Sequence, residues 1–307
     1  SAASDVYKRQ GRYPMKKFTK IACITAGIMF AIGAILAISG ILAGAKSGIF
    51  IDWTSHGIRI VPQKDTYTYE AYDITDINAI DINVSNAAIK FVPSENDKWG
   101  IVTTYNYYKN TPEINTSNGK ISVTQAAHSG WEMVGIINLL FKSLDNSITI
   151  YVPAGSPLIS SIKINTDNSA IKSDCALNTE FLNIETSNGA IKLNNLSVSK
   201  QTQIKTSNGL ISLNGNFSGD SNLKTSNGKI EVAGLIKDSF TAKTSNGSVD
   251  IDVNRPESEY SIYGKTSNGS VKVNGENHST DYSSYSSTSN TINARTSNGA
   301  INLDFAR

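Results

Sequence analysis

Between residues 79 and 305 the chain alternates apolar and polar positions in short runs, and most runs hold a fixed phase to one recurring word. The word is Thr-Ser-Asn-Gly, found at 116–119, 186–189, 206–209, 225–228, 244–247, 266–269 and 296–299. Two residues before its Thr stand Ile114, Ile164, Ile184, Ile204, Leu223 and Ala242. Five after it stand Ile121, Ile171, Ile191, Ile211, Ile230, Val249, Val271 and Ile301; seven after it are mostly Val, Leu or Ile. Period-two alternation on both sides predicts strand, sharp bend, strand, with the Thr facing inward.

From Thr166, which opens a degenerate copy, the intervals are 20, 20, 19, 19, 22 and 30 residues; Ser85-Asn86-Ala87 resembles an earlier degenerate copy. A constant period of this size signals stacked supersecondary units. The bends are expected at Asn118-Gly119, Asn188-Gly189, Asn208-Gly209, Asn227-Gly228, Asn246-Gly247, Asn268-Gly269 and Asn298-Gly299. Asn and Gly tolerate positive φ, which suits a tight corner. Identical corners one coil apart, about 4.8 Å, would let Asn and Thr side chains form ladders. Asn-Gly is also a strong hairpin signal, so an antiparallel meander is the competing arrangement. Recurrence of one bend in one phase favours the solenoid. The expected fold is all-β: a parallel, β-helix-like solenoid of roughly 20-residue repeats behind one N-terminal transmembrane helix.

Three regions break the pattern. Residues 46–80 form an entry segment before the repeat domain of 81–307. Residues 276–290, ENHSTDYSSYSSTSN, are a polar insertion that accounts for the longest interval. Residues 129–144, SGWEMVGIINLLFKSL, carry a helical signal opened by a Ser129/Glu132 capping box. Trp131, Ile136, Leu140 and Phe141 there are candidates for a cap or a membrane contact. The chain ends at Arg307, soon after the last strand pair. Because solenoids need capped ends, either the 276–290 insertion folds over the last coil, the edge pairs with another chain, or the sequence is truncated.

Ahead of the repeats, Ile21–Ala45 is an uncharged run of 25 residues preceded by Lys16, Lys17 and Lys20. As a helix it would extend roughly 37 Å, enough to span a bilayer. The flanking lysines predict a cytoplasmic N-terminus and an extracytoplasmic C-terminal domain, in a single-pass cell-membrane protein. A cleaved signal is the competing reading, with Ala43-Gly44-Ala45 of small-x-small form. Residues 1–14 read as translated adapter sequence, which makes 15–45 the cytoplasmic tip and anchor.

Composition narrows the choices. Charged residues make up 18%, below the usual quarter, and the net charge of +2 does not argue for nucleic acid. Cys23 falls within the expected membrane span and Cys175 outside it, so no disulfide links them.

The passage ITIYVPAGSPLISSIKINTDNSAIKSD, followed by copies of IxTSNGxIxL, resembles the bacterial β-strand-repeat family of putative adhesins, a domain of unknown function. The resemblance covers roughly 75–305 and rests on the strand ending Val152-Pro153 and on the Ser-Asn-Gly bends. It implies a surface location and a solenoid-like fold, frequent membrane anchoring, and for some members a link to envelope-stress operons. It brings no catalytic residues.

The residues themselves offer little chemistry. His56, His128 and His278 lack metal-ligand spacing. Ser160-Ser161-Ile162-Lys163 and Ser197-Val198-Ser199-Lys200 match only the bare S-x-x-K pattern. No cofactor, metal or enzymatic activity is expected. One constellation stands out: Lys205, Lys224, Lys243, Lys265 and Arg295 each precede the word's Thr. In stacked repeats they form a cationic stripe. Either Glu231 and Asp250 neutralise it as a guarded face, or it meets an anionic cell-wall polymer or polysaccharide, with Tyr282 and Tyr285 adding sugar contacts. The two functions in view are adhesion to such a polymer and regulation of an envelope-stress system through a partner protein.

Overall fold

The computed structural model describes residues 17–42, 49–54, 57–62, 67–105, 111–125, 132–133 and 146–307. The chain divides into two compact units, Ser1–Gln63 with Trp131–Lys142, and Lys64–Gly130 with Ser143–Arg307.

In the first unit, helix α1 (Lys17–Leu42) is long and apolar enough to cross a membrane, by length and composition. Its apolar side chains, such as Ile21 and Phe30, are exposed. The alternating runs Ile49–Thr54 and Gly57–Pro62 form an antiparallel hairpin. Glu132–Met133 adds a two-residue strand to that hairpin, with Asp52 opposite Glu132. Backbone pairing thus overrides the helical pattern at those two positions, because a strand edge offers hydrogen bonds that local propensity does not. The rest of the expected 129–144 helix, with Trp131, Ile136, Leu140 and Phe141, lies outside the described residues.

The second unit is mostly β and solenoid-like. In each repeat the strand before the word joins one parallel ladder and the strand after it joins another. The first ladder runs through Ala79–Val84, Ile159–Thr166, Leu177–Thr186, the far half of Ile191–Thr206, Asp220–Lys224 and Ser239–Lys243. Alternation puts Ile162, Ile164, Leu182, Ile184, Ile204 and Leu223 inside, each at most 1% exposed. The second ladder stacks Ile89, Ile171, Ile191, Ile211, Ile230, Val249, Ile301 and Val271 in direct register, all fully buried. Each fully buried aliphatic side chain of this kind stabilises by about 1.5–3 kcal/mol, so the columns dominate the energetics.

Two departures from the expected solenoid matter. The coils do not stack in chain order. Ser239–Lys243 pairs with Thr291–Asn298, which in turn pairs with Ser261–Asn268. The last coil is therefore inserted between its two predecessors, and the coil of 261–273 stands at the end. Near-identical phases let any two coils match, so the core columns do not enforce sequential order. The ladders are also not parallel throughout. At one end Asp281–Ser284 and Glu276–Asn277 fold back antiparallel on the 261–273 coil, so part of the polar insertion is its cap. At the other end Tyr67–Ile74, Trp99–Tyr105 and Ser147–Val152 pair antiparallel.

The first word is another exception. Glu113–Asn115 and Lys120–Thr124 pair antiparallel, so Thr116–Gly119 closes a hairpin rather than turning a coil. Only this copy has both central residues at left-handed φ, 56° for Asn118 and 69° for Gly119.

Candidate polyanion-binding face

Within each array copy the four residues have separate tasks. The Thr points into the core, and in four copies its hydroxyl donates to the glycine carbonyl of the adjacent coil: Thr225 to Gly209 at 3.3 Å, and Thr244 to Gly228, Thr296 to Gly247 and Thr266 to Gly299 at 2.9 Å. Thr186 donates to the Asp167 carbonyl instead, and Thr206 has no partner among the described residues. The glycine makes room for that carbonyl. A Cβ on Gly209 would stand 2.0 Å from the Gly189 oxygen, and one on Gly228 1.9 Å from the Gly209 oxygen. Close stacking, not positive φ, is what demands glycine at these corners, which corrects the conformational expectation. The Asn carboxamides form one directed ladder: Asn268 donates to Asn298, Asn298 to Asn246, and so on through Asn227, Asn208, Asn188 and Asn168 to Asn86, at 2.7–2.9 Å. Asn118 does not join it.

Beside this ladder the five predicted cations do come together, in a spatial order the chain order does not give. Register pairs Glu185 with Lys205, Lys205 with Lys224, Lys224 with Lys243, Lys243 with Arg295, Arg295 with Lys265, and Lys265 with Asp281. All five side chains are exposed. Neighbouring strands lie about 4.8 Å apart, so the column spans about 19 Å. Glu185 pairs with Lys205, and Arg295 donates from Nε to Asn293 at 3.0 Å. Among the described residues no ion pair reaches Lys224, Lys243 or Lys265. Glu231 and Asp250 hold Lys229 on the second ladder, at 2.5 and 2.6 Å, instead of neutralising the column. Like charges at this spacing repel by about 1 kcal/mol per pair in water, so the stripe is a local electrostatic cost.

Two neighbouring features escaped the sequence reading. Tyr263 lies two residues before Lys265 on the same outward face, and its ring meets Tyr285 edge-on at 5.8 Å, with Tyr285 79% exposed. Tyr282 is different: it packs against the core and donates to Glu257 at 2.7 Å. On the second ladder Lys90, Lys172 and Lys192 stack in register as a shorter basic column. Its signal was a lysine six residues after the Thr in two consecutive copies.

Buried polar groups complete the picture. Thr103, Tyr105, Thr202, Thr206 and Ser221 carry hydroxyls with no hydrogen-bond partner among the described residues. Burial pushes the Tyr105 phenol far above its ordinary value. Cys175 is a buried free thiol whose pKa burial also raises, and Cys23 is a free cysteine on α1.

Solved structures similar to this chain include a putative cell adhesion protein from Clostridium sporogenes, with 14% identity and a TM-score of 0.42 over 79% of this chain and 100% of that one. A putative adhesin from Bacteroides fragilis is 15% identical, with a TM-score of 0.44 over 80% and 99% of the two chains. One from Parabacteroides merdae is 13% identical, with a TM-score of 0.38 over 79% and 97%. No curated protein matches the chain. The Toastrack DUF4097 profile matches residues 77–249 and 178–304, well over half of the sequence and all of the word-bearing array, and the chain belongs to that family.

Proposed function

We propose that the protein is a non-enzymatic envelope protein, held by α1 in the cell membrane with its N-terminus cytoplasmic, whose extracytoplasmic β-solenoid binds an anionic cell-wall polymer or polysaccharide. The observation that carries this reading is the contiguous column Lys205–Lys224–Lys243–Arg295–Lys265, three of whose lysines have no ion pair among the described residues. A row of like charges about 4.8 Å apart is destabilising by itself and becomes favourable when a repeating anion lies along it. The Tyr263–Tyr285 pair at the end of the row, half-buried Tyr263 against exposed Tyr285, offers an apolar surface to a sugar ring. The polar Asn ladder alongside supplies a flat, rigid floor.

The test is co-sedimentation of the full chain, in detergent micelles, with purified cell walls stripped or not of anionic polymer, at low and high salt. Binding is expected to require the polymer and to weaken with salt. It should be lost when Lys205, Lys224, Lys243 and Lys265 are changed to Glu, and retained when Lys90, Lys172 and Lys192 are changed. Salt-independent binding, equal binding by both variants, or no binding at all overturns the proposal.

A further inference from the structure

The repeat leaves the chain rich in Asn-Gly pairs, the sequence most prone to spontaneous deamidation because glycine's amide is unshielded by a side chain. The structure treats these pairs very differently. In the array, Asn188, Asn208, Asn227, Asn246 and Asn298 each donate to one neighbouring carboxamide and accept from another. Ring closure would need the carboxamide to abandon both bonds, one from Nδ2 and one to Oδ1, and the glycine backbone to shift, yet that backbone is wedged against the next coil with no room for even a Cβ. Asn268, at the ladder's end, gives one such bond. Outside the ladder, Asn274 is held by Glu257 at 2.8 Å and by the amide of Phe305 at 2.9 Å. Asn214 precedes Gly215, whose backbone is locked in register with Leu196 and Gly234.

Asn118 lacks the side-chain restraints, and the Gly119 backbone is held only through its carbonyl, which accepts from the amides of Asn78 and Ala79 at 2.7 and 3.1 Å. It is exposed, its carboxamide has no hydrogen-bond partner among the described residues, and it sits with Gly119 in a two-residue left-handed turn. A Cβ on Gly119 would meet nothing closer than the Asp76 oxygen at 3.0 Å, so this turn is less tightly wedged than the array corners.

We infer that Asn118 is a self-modification site, the one Asn-Gly pair in the described residues that the fold leaves open to succinimide formation. The Gly119 amide nitrogen, its proton lost to water, attacks Asn118 Cγ. The N–Cγ bond forms, the Cγ–Nδ2 bond breaks, and ammonia leaves. Water then opens the ring at either carbonyl, giving aspartate or isoaspartate at position 118. No oxidant, metal or enzyme is needed. The array ladder is, by the same chemistry, a protective device for an otherwise vulnerable repeat.

The experiment incubates the native full chain in detergent at mildly alkaline pH and follows isoaspartate with an isoaspartyl methyltransferase assay and peptide mass mapping. The 118-containing peptide is expected to convert first, with array peptides slower by about tenfold or more, since two hydrogen bonds must be surrendered before the ring closes. Asn118→Ser should remove the early methylation signal. A sample in strong denaturant should convert all the pairs at similar rates, which separates fold protection from sequence effects. Native array peptides reacting as fast as the 118 peptide overturn the inference, as does an unreactive 118 peptide in a sample whose denatured control reacts.

Discussion

At residues 116–119 the word closes a two-stranded hairpin, with Asn118 and Gly119 both at left-handed φ. At 206–209 the same four residues turn the corner of a coil: Asn208 lies between two other asparagines and Gly209 presses against the Gly189 carbonyl. Thr116 is half-exposed while Thr206 is buried. The strands flanking both words alternate alike, so local preference cannot explain the difference. What differs is the neighbourhood. Each array copy has a similar corner stacked beside it, whereas the 116–119 strands pair with each other and then join Ala79–Val84 on the first ladder only. Glycine serves twice for unrelated reasons: backbone conformation at 119, and absence of a side chain at 209.

The largest effect that separates the two settings should come from that glycine. Gly209→Ala is expected to destabilise by about 3 kcal/mol or more, since a Cβ there meets backbone rather than a movable side chain. Gly119→Ala should cost only about 1–2 kcal/mol, the strain of a left-handed alanine. Thermal unfolding of the full chain followed by tryptophan fluorescence measures both; equal losses would remove the distinction. Next in size is the asparagine. Asn208→Gly breaks two ladder bonds and should cost about 1–2 kcal/mol, while Asn118→Gly, at a φ glycine accepts freely, should stay within about 0.5 kcal/mol of wild type.

Smaller effects test the interior against the ladder's saturated polar surface. Tyr105 is fully buried, and its hydroxyl has no partner among the described residues. Tyr105→Phe is expected to be neutral or to stabilise by up to about 1 kcal/mol. The raised phenol also has a pH signature. A folded pKa above the unfolded value means stability is intact below the ordinary tyrosine pKa and falls as pH rises past it, so Tyr105→Phe should flatten the alkaline limb of the melting curve. The least effect should come from Lys229, whose pKa is raised by hydrogen bonds to Asp250 and then Glu231. Its contribution is fully present below the ordinary lysine pKa of 10.5 and disappears as pH rises through the folded value. The melting difference between wild type and Lys229→Met should therefore be constant near neutrality and vanish only in strong alkali.

Much of this was legible in advance because β alternation and stacking are both written in one dimension. Ile171, Ile191 and Ile211 share a phase, so a column of buried isoleucines followed once repeats stacked. The same logic brought Lys205, Lys224 and Lys243 side by side. It could not place Arg295 before Lys265, because that order depends on which coil inserts where. Nor could it pair Tyr263 with Tyr285, which meet only when 281–284 folds back on 261–268.

The sequence by itself determined the period, the inward and outward faces, the apolar helix at the start and the family. These depend on residue type at fixed spacing, and the hydrophobic effect enforces them wherever the chain goes. The tertiary structure alone decided the order of the final coils, the hairpin at the first word and the reason each glycine is needed. Those depend on which backbone lies one strand away, and near-identical repeats give the sequence no means of naming that neighbour.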